Sequence, residues 1–302
     1  MAEMIRVGMI GCDTSHCGKF TEILHGEKAR GDGPGVRVVA CYPSFSKDIK
    51  SSADRVEGFK KQLAEKWGVK LTASIEEMLD QVDAVLLESV DGRRHLKELR
   101  PVAAAGKPVY IDKPFAASLA DAKAMVKLIK EHKLPCFSCS SLRYDSGITK
   151  FMADEKARGR IVGCDAFSPA SLEPTNPGLF WYGIHGVEIL YTIMGRGCQS
   201  VECASTADGD LAVGVWSDGR LGSMRGIRKG KKDYGAMVLC EKTFAYIRYA
   251  GDFYPSLVRE IVKFFQTRRP PVPIEDTLEI CAFIDAALRS SKLGGDDVEL
   301  DL

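Results

Sequence analysis

The 302-residue chain predicts an α/β fold in two parts. Residues 1–140 read as a doubly wound parallel sheet, and residues 141–302 as an α+β domain with an open, mostly antiparallel sheet. Three observations carry this. Short apolar runs alternate with helical stretches through the first half, the pattern of buried parallel strands covered on both faces. The second half instead groups several strands after a single helix, which suits an antiparallel sheet with helices on one face. The length itself, at roughly 150 residues per domain, gives about two domains.

The elements follow in order. Met4–Ile10 is an apolar run that stops at Gly11, and Thr14 to Gly26 reads as a helix. A loop is expected at Gly31-Asp32-Gly33-Pro34-Gly35, then a strand at Val36–Tyr42 closed by Pro43. A helix over Ala53–Trp67 is stopped by Gly68, and a short strand follows at Val69–Thr72. Ser74 and Glu77 have capping-box spacing for a helix at Ile75–Asp80. Strands at Asp83–Leu87, Val109–Ile111 and Pro135–Ser140 alternate with helices at Arg94–Ala105 and Ser118–His132. Beyond the boundary, near Ser140–Arg143, come a helix at Tyr144–Arg158, a strand near Ile161–Phe167 and a helix over Trp181–Met194 that ends at Gly195. Leu211–Ser217 and Arg220–Ile227 flank Asp218-Gly219, a hairpin signal. Strands near Ala236–Cys240 and Thr243–Tyr249 and helices at Tyr254–Thr267 and Asp276–Ser290 complete the chain.

Composition narrows the classes of function. Lys and Arg number 42 against 41 Asp and Glu, a formal charge of +1 that argues against a partner held mainly by phosphate charge, as nucleic acid would be. No apolar run approaches the roughly 18 residues that cross a bilayer. The opening residues run straight into an apolar strand without a leader pattern, so a cytoplasmic location is expected. The ten cysteines then read as reduced, mostly buried small hydrophobes. Cys136 and Cys139 form a CxxC within a strand, whereas redox motifs of that spacing open helices.

The chemistry-bearing residues begin at the first turn. Gly8-Met9-Ile10-Gly11-Cys12-Asp13-Thr14-Ser15-His16 stands where a dinucleotide fold carries G-x-G-x-x-G, but only Gly11 of that fingerprint is kept. A carboxylate in place of the second glycine would repel a pyrophosphate, or Asp13 caps the helix through the amides of Ser15 or His16. On the first alternative, Asp13→Gly is expected to tighten dinucleotide binding. The second strand ends without the acidic residue that holds a ribose diol. Lys113 ends a strand at Asp112-Lys113-Pro114, where its side chain would enter a ligand crevice. His185 and Glu188 share a helical face at i,i+3. A lysine, a histidine and a carboxylate at such a crevice can serve proton transfer during hydride chemistry. Glu88, closing an apolar strand, is weighed between function and packing, as are Trp181 and Tyr182 between stacking on a sugar face and the core. The run at Lys229-Gly230-Lys231-Lys232-Asp233 reads as a solvated turn. Metal ligation by His16, His185 and Glu188 lacks chelating spacing, so no metal is assigned.

Four segments carry a family resemblance. GKPVYIDKPFAASLADA and LFWYGIHGVEILYTIMG are similar to the Lys-Pro and D-x-G-x-H-x-x-D segments of the glucose–fructose oxidoreductase and inositol dehydrogenase (Gfo/Idh/MocA) family. VDAVLLESVDGRRH resembles its V-D-x-V-x-I-x-T-P-N-x-x-H with one extra residue, matching Ser89, Val90 and His95, and SSLRYD resembles its Arg-Arg-Phe/Tyr segment at Arg143 and Tyr144. The chain departs from the family in the lost glycines, the lost ribose acid and Trp181 in place of an aspartate, and its DTSH turn marks a divergent branch. The resemblance implies a Rossmann-type dinucleotide-binding domain over 1–140 and a substrate and oligomerisation domain over 141–302. It implies NAD(P)-dependent oxidation of a sugar, cyclitol or related polyol by a homo-oligomer. Carried over by position, Lys113 and His185 would be catalytic, with Glu188 or Tyr182 orienting the imidazole and Arg143 and Trp181 meeting substrate. Gly11, Cys12, Asp13, Thr14, Ser15, His16, Ser89, Val90, His95 and Lys113 would hold the cofactor. Lys47 and Lys50 near the ribose position favour NADP over NAD. The alternatives are a non-catalytic ligand-binding or sensor protein on the same scaffold, and a lyase or isomerase using the same acid/base pair.

Overall fold

The computed structural model describes residues 4–26 and 35–302, so most of the loop expected at 31–35 lies outside the described residues. The chain divides into two compact units. One comprises Met1–Ala116, Ala120–Cys139 and Tyr254–Ile274; the other comprises Ala117–Leu119, Ser140–Phe253 and Glu275–Leu302. The segment Tyr254–Ile274, which the sequence assigns to the second domain, thus joins the first unit.

In the first unit, β1 (Ile5–Ile10), β2 (Val36–Tyr42), β3 (Lys70–Leu71), β4 (Ala84–Leu87), β5 (Val109–Ile111) and β6 (Cys136–Ser138) form one sheet in the order β3-β2-β1-β4-β5-β6. Every pairing is parallel. All residues of β4, β5 and β6 are buried, which explains their unbroken apolar runs. The strand order reverses between β1 and β4, and a ligand crevice belongs outside the C-terminal ends of the strands there. The helices are α1 (Ser15–His25), α2 (Lys50–Ala53), α3 (Val56–Lys61), α4 (Ile75–Leu79), α5 (Gly92–Ala104) and α6 (Leu119–Glu131). The single helix expected over Ala53–Trp67 is instead α2, α3 and a π turn at Gln62–Lys66. Within α2, the Ser52 hydroxyl donates to Asp13 and accepts from Ser46 N, tying that helix to the β1–α1 turn.

The second unit opens with a 3₁₀ turn at Ser141–Tyr144, followed by α7 (Ser146–Ala153) and α8 (Glu155–Arg158) in place of one expected helix. Asp145 forces the new start, accepting from Gly147 N, Ala250 N and Gly251 N. Its strands are β7 (Ile161–Pro169), β8 (Cys198–Thr206), β9 (Gly209–Trp216), β10 (Leu221–Ile227), β11 (Gly235–Cys240), β12 (Phe244–Arg248) and β13 (Val298–Glu299). They lie in the order β12-β11-β7-β10-β9-β8-β13. The β7–β10 pair is parallel and the other pairs antiparallel, with the hairpin between β9 and β10 turning at Asp218-Gly219 as expected. Helix α9 (Ile184–Met194) covers one face; α10 (Phe253–Thr267) lies almost wholly in the first unit, and α11 (Ile274–Lys292) returns to the second. α9 sits close because Gly186 faces the sheet: a Cβ there would lie 2.5 Å from Met224 Cε and 2.8 Å from Ser168 Oγ. The opposite face leaves Val162, Val215, Leu221, Leu239, Phe244 and Tyr246 exposed. No disulfide joins any of the ten cysteines, and Cys136 and Cys139 are buried. No described helix is long and apolar enough to cross a membrane.

Candidate active site

The β1–α1 turn is built on Gly11. Its φ is +94°, which favours glycine, and a Cβ would meet Ser89 N at 2.3 Å, so β1 can cross close to the end of β4 only here. Gly11 N donates to Tyr42 O and Cys12 N to Ser44 O, tying the turn to the chain after β2. Thr14, not Asp13, caps α1: its Oγ1 accepts from His16 N. Ser15 is exposed at the first turn of the helix. Asp13 points inward and is fully buried, with Oδ1 accepting from Val90 N at 3.0 Å and Oδ2 from Ser52 Oγ at 2.5 Å. Burial raises its pKa, against the two hydrogen bonds. The carboxylate therefore does not stand in the path of a pyrophosphate, and the repulsion expected from the sequence has no basis.

The end of β2 meets the start of α5. Buried Glu98 accepts from the hydroxyls of Ser44 and Ser89 and from Arg94 Nε. Sequence reading missed Glu98, although its i,i+4 spacing to Arg94 was the available signal. Beside this network a cavity of about 510 Å³ is lined by Tyr42, Ser44, Lys47, Arg93 and Arg94 among others. His95 is placed differently from expectation. Both its ring nitrogens face main-chain carbonyls, Phe115 O at 3.1 Å and Ser89 O at 2.7 Å, so it braces the loops rather than meeting a ligand.

Three further side chains converge at the C-terminal ends of β1, β4 and β5. His16 Nδ1 lies 2.5 Å from Asp112 Oδ2, and His16 Nε2 lies 3.1 Å from Tyr254 Oη. Its ring stacks on Phe20 with centroids 4.9 Å apart. Glu88 follows β4 directly and is fully buried; burial and then the Asp112 charge push its carboxyl well up. Burial also opposes ionisation of Asp112, but the neighbouring His16 and Lys113 outweigh it and hold that carboxyl low. Lys113, next in the chain, is half-buried. His16, expected at the cofactor, is thus engaged by Asp112 and Tyr254.

In the second unit, His185 lies in the first turn of α9, buried to 7% exposure. Its Nδ1 is 2.7 Å from Ser140 Oγ, and Tyr182 and Tyr234 stand edge-on to the ring at 5.1 and 5.8 Å. Tyr234 Oη donates to Tyr182 Oη at 3.3 Å. Glu188 does not orient the imidazole as expected: its carboxylate receives Arg143 Nε and Nη2 at 3.2 and 3.0 Å. Arg143, expected at the substrate, is committed to this pair. Burial raises the Glu188 carboxyl, and Arg143 counters it. Removing one member of such a buried pair costs about 3–5 kcal/mol, so both hold the fold around α9. Trp181, also expected at the substrate, is half-buried in the turn before α9.

Residues 5–139 match the family model described as the oxidoreductase family, NAD-binding Rossmann fold. Over this stretch the chain is similar to the NAD-binding domain of the Gfo/Idh/MocA oxidoreductases. An uncharacterised oxidoreductase of Escherichia coli, YhhX, is 25% identical over 207 residues, 61% of this chain and 58% of that protein. The curated relatives are matched over only 33% and 58% of their lengths. Among solved structures, myo-inositol 2-dehydrogenase from Lactobacillus plantarum shares the fold at a TM-score of 0.79 and 16% identity, covering 99% of this chain and 100% of that one. GenD2 of gentamicin A biosynthesis, solved with NAD, shares it at a TM-score of 0.77 and 18% identity, covering 100% and 98%.

A dinucleotide fits the first unit on its own geometry. The Gly11 crossing is kept, the helix start beyond it is open at Ser15, and the intruding acid is turned away.

Proposed function

We propose that the protein is an NAD(P)-dependent dehydrogenase of a sugar, cyclitol or related polyol, with NADP the preferred cofactor. The observation that carries the reading is His185, held at the start of α9 by the Ser140 hydroxyl at 2.7 Å and flanked by two tyrosine rings. The tautomer in which Nδ1–H donates to Ser140 makes Nε2 the basic nitrogen of the ring, as a general base requires. The bound dinucleotide would supply the hydride acceptor. Gly11, Cys12, Thr14 and Ser15 would meet its pyrophosphate at the start of α1, with Ser89, Val90 and Lys113 contributing beyond the ends of β4 and β5. Asp13, His16 and His95 leave this set because their polar atoms are engaged elsewhere. Lys47, in the lining of the cavity after β2, would meet a 2′-phosphate, which favours NADP; Ser44 and Arg94 are held by Glu98, and Lys50 lies outside that lining. Lys113 would hold the reacting oxygen while His185 takes the hydroxyl proton, and Tyr182 would confine the imidazole. The exposed apolar face of the second sheet would pair with a second copy.

Fluorescence titration is expected to give tighter binding of NADPH than of NADH, with Lys47→Ala weakening only the former. On any substrate found by screening sugars, cyclitols and their keto acids, His185→Ala should lower kcat by roughly 10²–10⁴-fold. Lys113→Ala should lower kcat and also raise KM. Full activity of His185→Ala would overturn the catalytic assignment. Dinucleotide binding with no turnover across the screen would favour the sensor alternative.

A further inference from the structure

Glu88 poses a question that hydride chemistry does not answer. Among the described residues neither of its carboxyl oxygens has a hydrogen-bond partner of good geometry, and the residue has no exposed surface. Buried polar groups are nearly always partnered, and a carboxyl offering up to four lone-pair sites without one is uncommon. Its surroundings sharpen the problem, because a second buried carboxyl, Asp112, sits on the adjacent strand end. Of the two, Asp112 has His16 and Lys113 beside it, whereas Glu88 has no hydrogen-bond partner among the described residues.

The third neighbour is a ligating residue. One donor atom each from His16, Glu88 and Asp112 lies within 4.8 Å of the other two. His16 Nδ1 is 2.5 Å from Asp112 Oδ2 and 3.9 Å from Glu88 Oε2. The far nitrogen of the same ring is held by Tyr254 Oη, and stacking on Phe20 fixes its plane. An imidazole steered by a partner on its second nitrogen is the usual support of a metal ligand. The three residues come from the first turn of α1 and the ends of β4 and β5, rigid positions with little backbone freedom.

We propose that His16, Glu88 and Asp112 bind one divalent transition-metal ion. Two carboxylates and an imidazole balance a double positive charge, and one nitrogen with two oxygens suits Zn²⁺ or Mn²⁺ better than Mg²⁺ or Ca²⁺. Donor distances of about 2.0–2.2 Å require His16 and Asp112 to part by roughly 0.5–1 Å as the ion enters. The ion would join α1 to β4 and β5 and bond directly to Glu88, whose Oε2 stands 3.9 Å from His16 Nδ1. This site does not depend on the dehydrogenase reading, since it needs neither dinucleotide nor substrate.

The test uses the full-length protein, stripped with chelator and dialysed separately against Zn²⁺, Mn²⁺ and Mg²⁺. After desalting, about one equivalent of Zn²⁺ or Mn²⁺ should remain bound, and saturating ion should raise Tm; Mg²⁺ should do neither. Glu88→Gln, which keeps the shape of the side chain, should weaken binding at least ~100-fold. Should that variant not fold, Co²⁺ substitution of the wild type decides: its visible spectrum should show nitrogen and oxygen ligation without thiolate charge transfer. Retention of no ion by the stripped protein, undiminished binding by a folded Glu88→Gln, or a thiolate band would each overturn the proposal.

Discussion

Asp13 occupies a position where a glycine lets a backbone approach phosphate, yet its carboxylate serves the protein interior. It accepts from Val90 N and Ser52 Oγ, which join the β1–α1 turn to the ends of β4 and α2. Asp13→Gly should therefore destabilise by about 2–4 kcal/mol, because a buried amide and a hydroxyl lose their acceptor. Dinucleotide binding should be unchanged or weaker, contrary to the tightening the sequence suggests. Asp13→Asn keeps an acceptor for Val90 N and should cost less. The sign of its pH dependence follows from burial, which raises the folded pKa. The wild type's contribution from this group is complete below the unfolded carboxylate value of about 3.9 and is lost as pH rises through the folded value. Thermal melts of wild type and Asp13→Asn from pH 4 to 7 should shift relative stability toward the variant as pH rises.

At the scale of elements, the parallel sheet was legible because β4, β5 and β6 are buried on both faces and leave uninterrupted apolar runs. The Ser74–Glu77 cap was legible too, although Glu77 reaches back to Ala73 N rather than to Ser74 N. The start of α7 after Asp145 was not, since Ala250 N and Gly251 N, which bind that carboxylate, are distant in sequence. β8 escaped notice because Gln199, Glu202 and Ala204 face outward and dilute its pattern. Lys113 and His185 could be singled out from their motifs, but Ser140 behind His185 and Arg143 against Glu188 become visible only when the chain is folded. The outward face of the second sheet yields its own prediction. If a second copy pairs there, wild-type protein should sediment as a dimer or larger species. Leu221→Lys with Phe244→Lys should shift it to a smaller one with unchanged circular dichroism, since both side chains are exposed. A monomeric wild type would refute the pairing.

For the whole molecule, the unit boundary is not a single cut. α10 belongs with the first unit, where Phe264 stands edge-on to Phe137 at 5.0 Å and Tyr254 reaches His16. Leu257, Ile261, Phe264 and Phe265 are all buried. Burial of four such side chains is worth up to roughly 6–12 kcal/mol, comparable with the whole stability of a domain. A fragment comprising residues 1–140 should therefore lack a cooperative thermal transition and bind a hydrophobic dye. A sharp melt of that fragment would show that α10 is dispensable.

The same return of the chain bears on its birth at the ribosome. The first unit lacks its last segment until about 135 more residues have been added after Cys139. At bacterial and eukaryotic elongation rates of about 5–20 residues per second, that interval is roughly 7–27 s. For that time Phe137 and Phe20 await covers that have not yet emerged, and nascent chains stalled before Tyr254 should be the form most in need of chaperones.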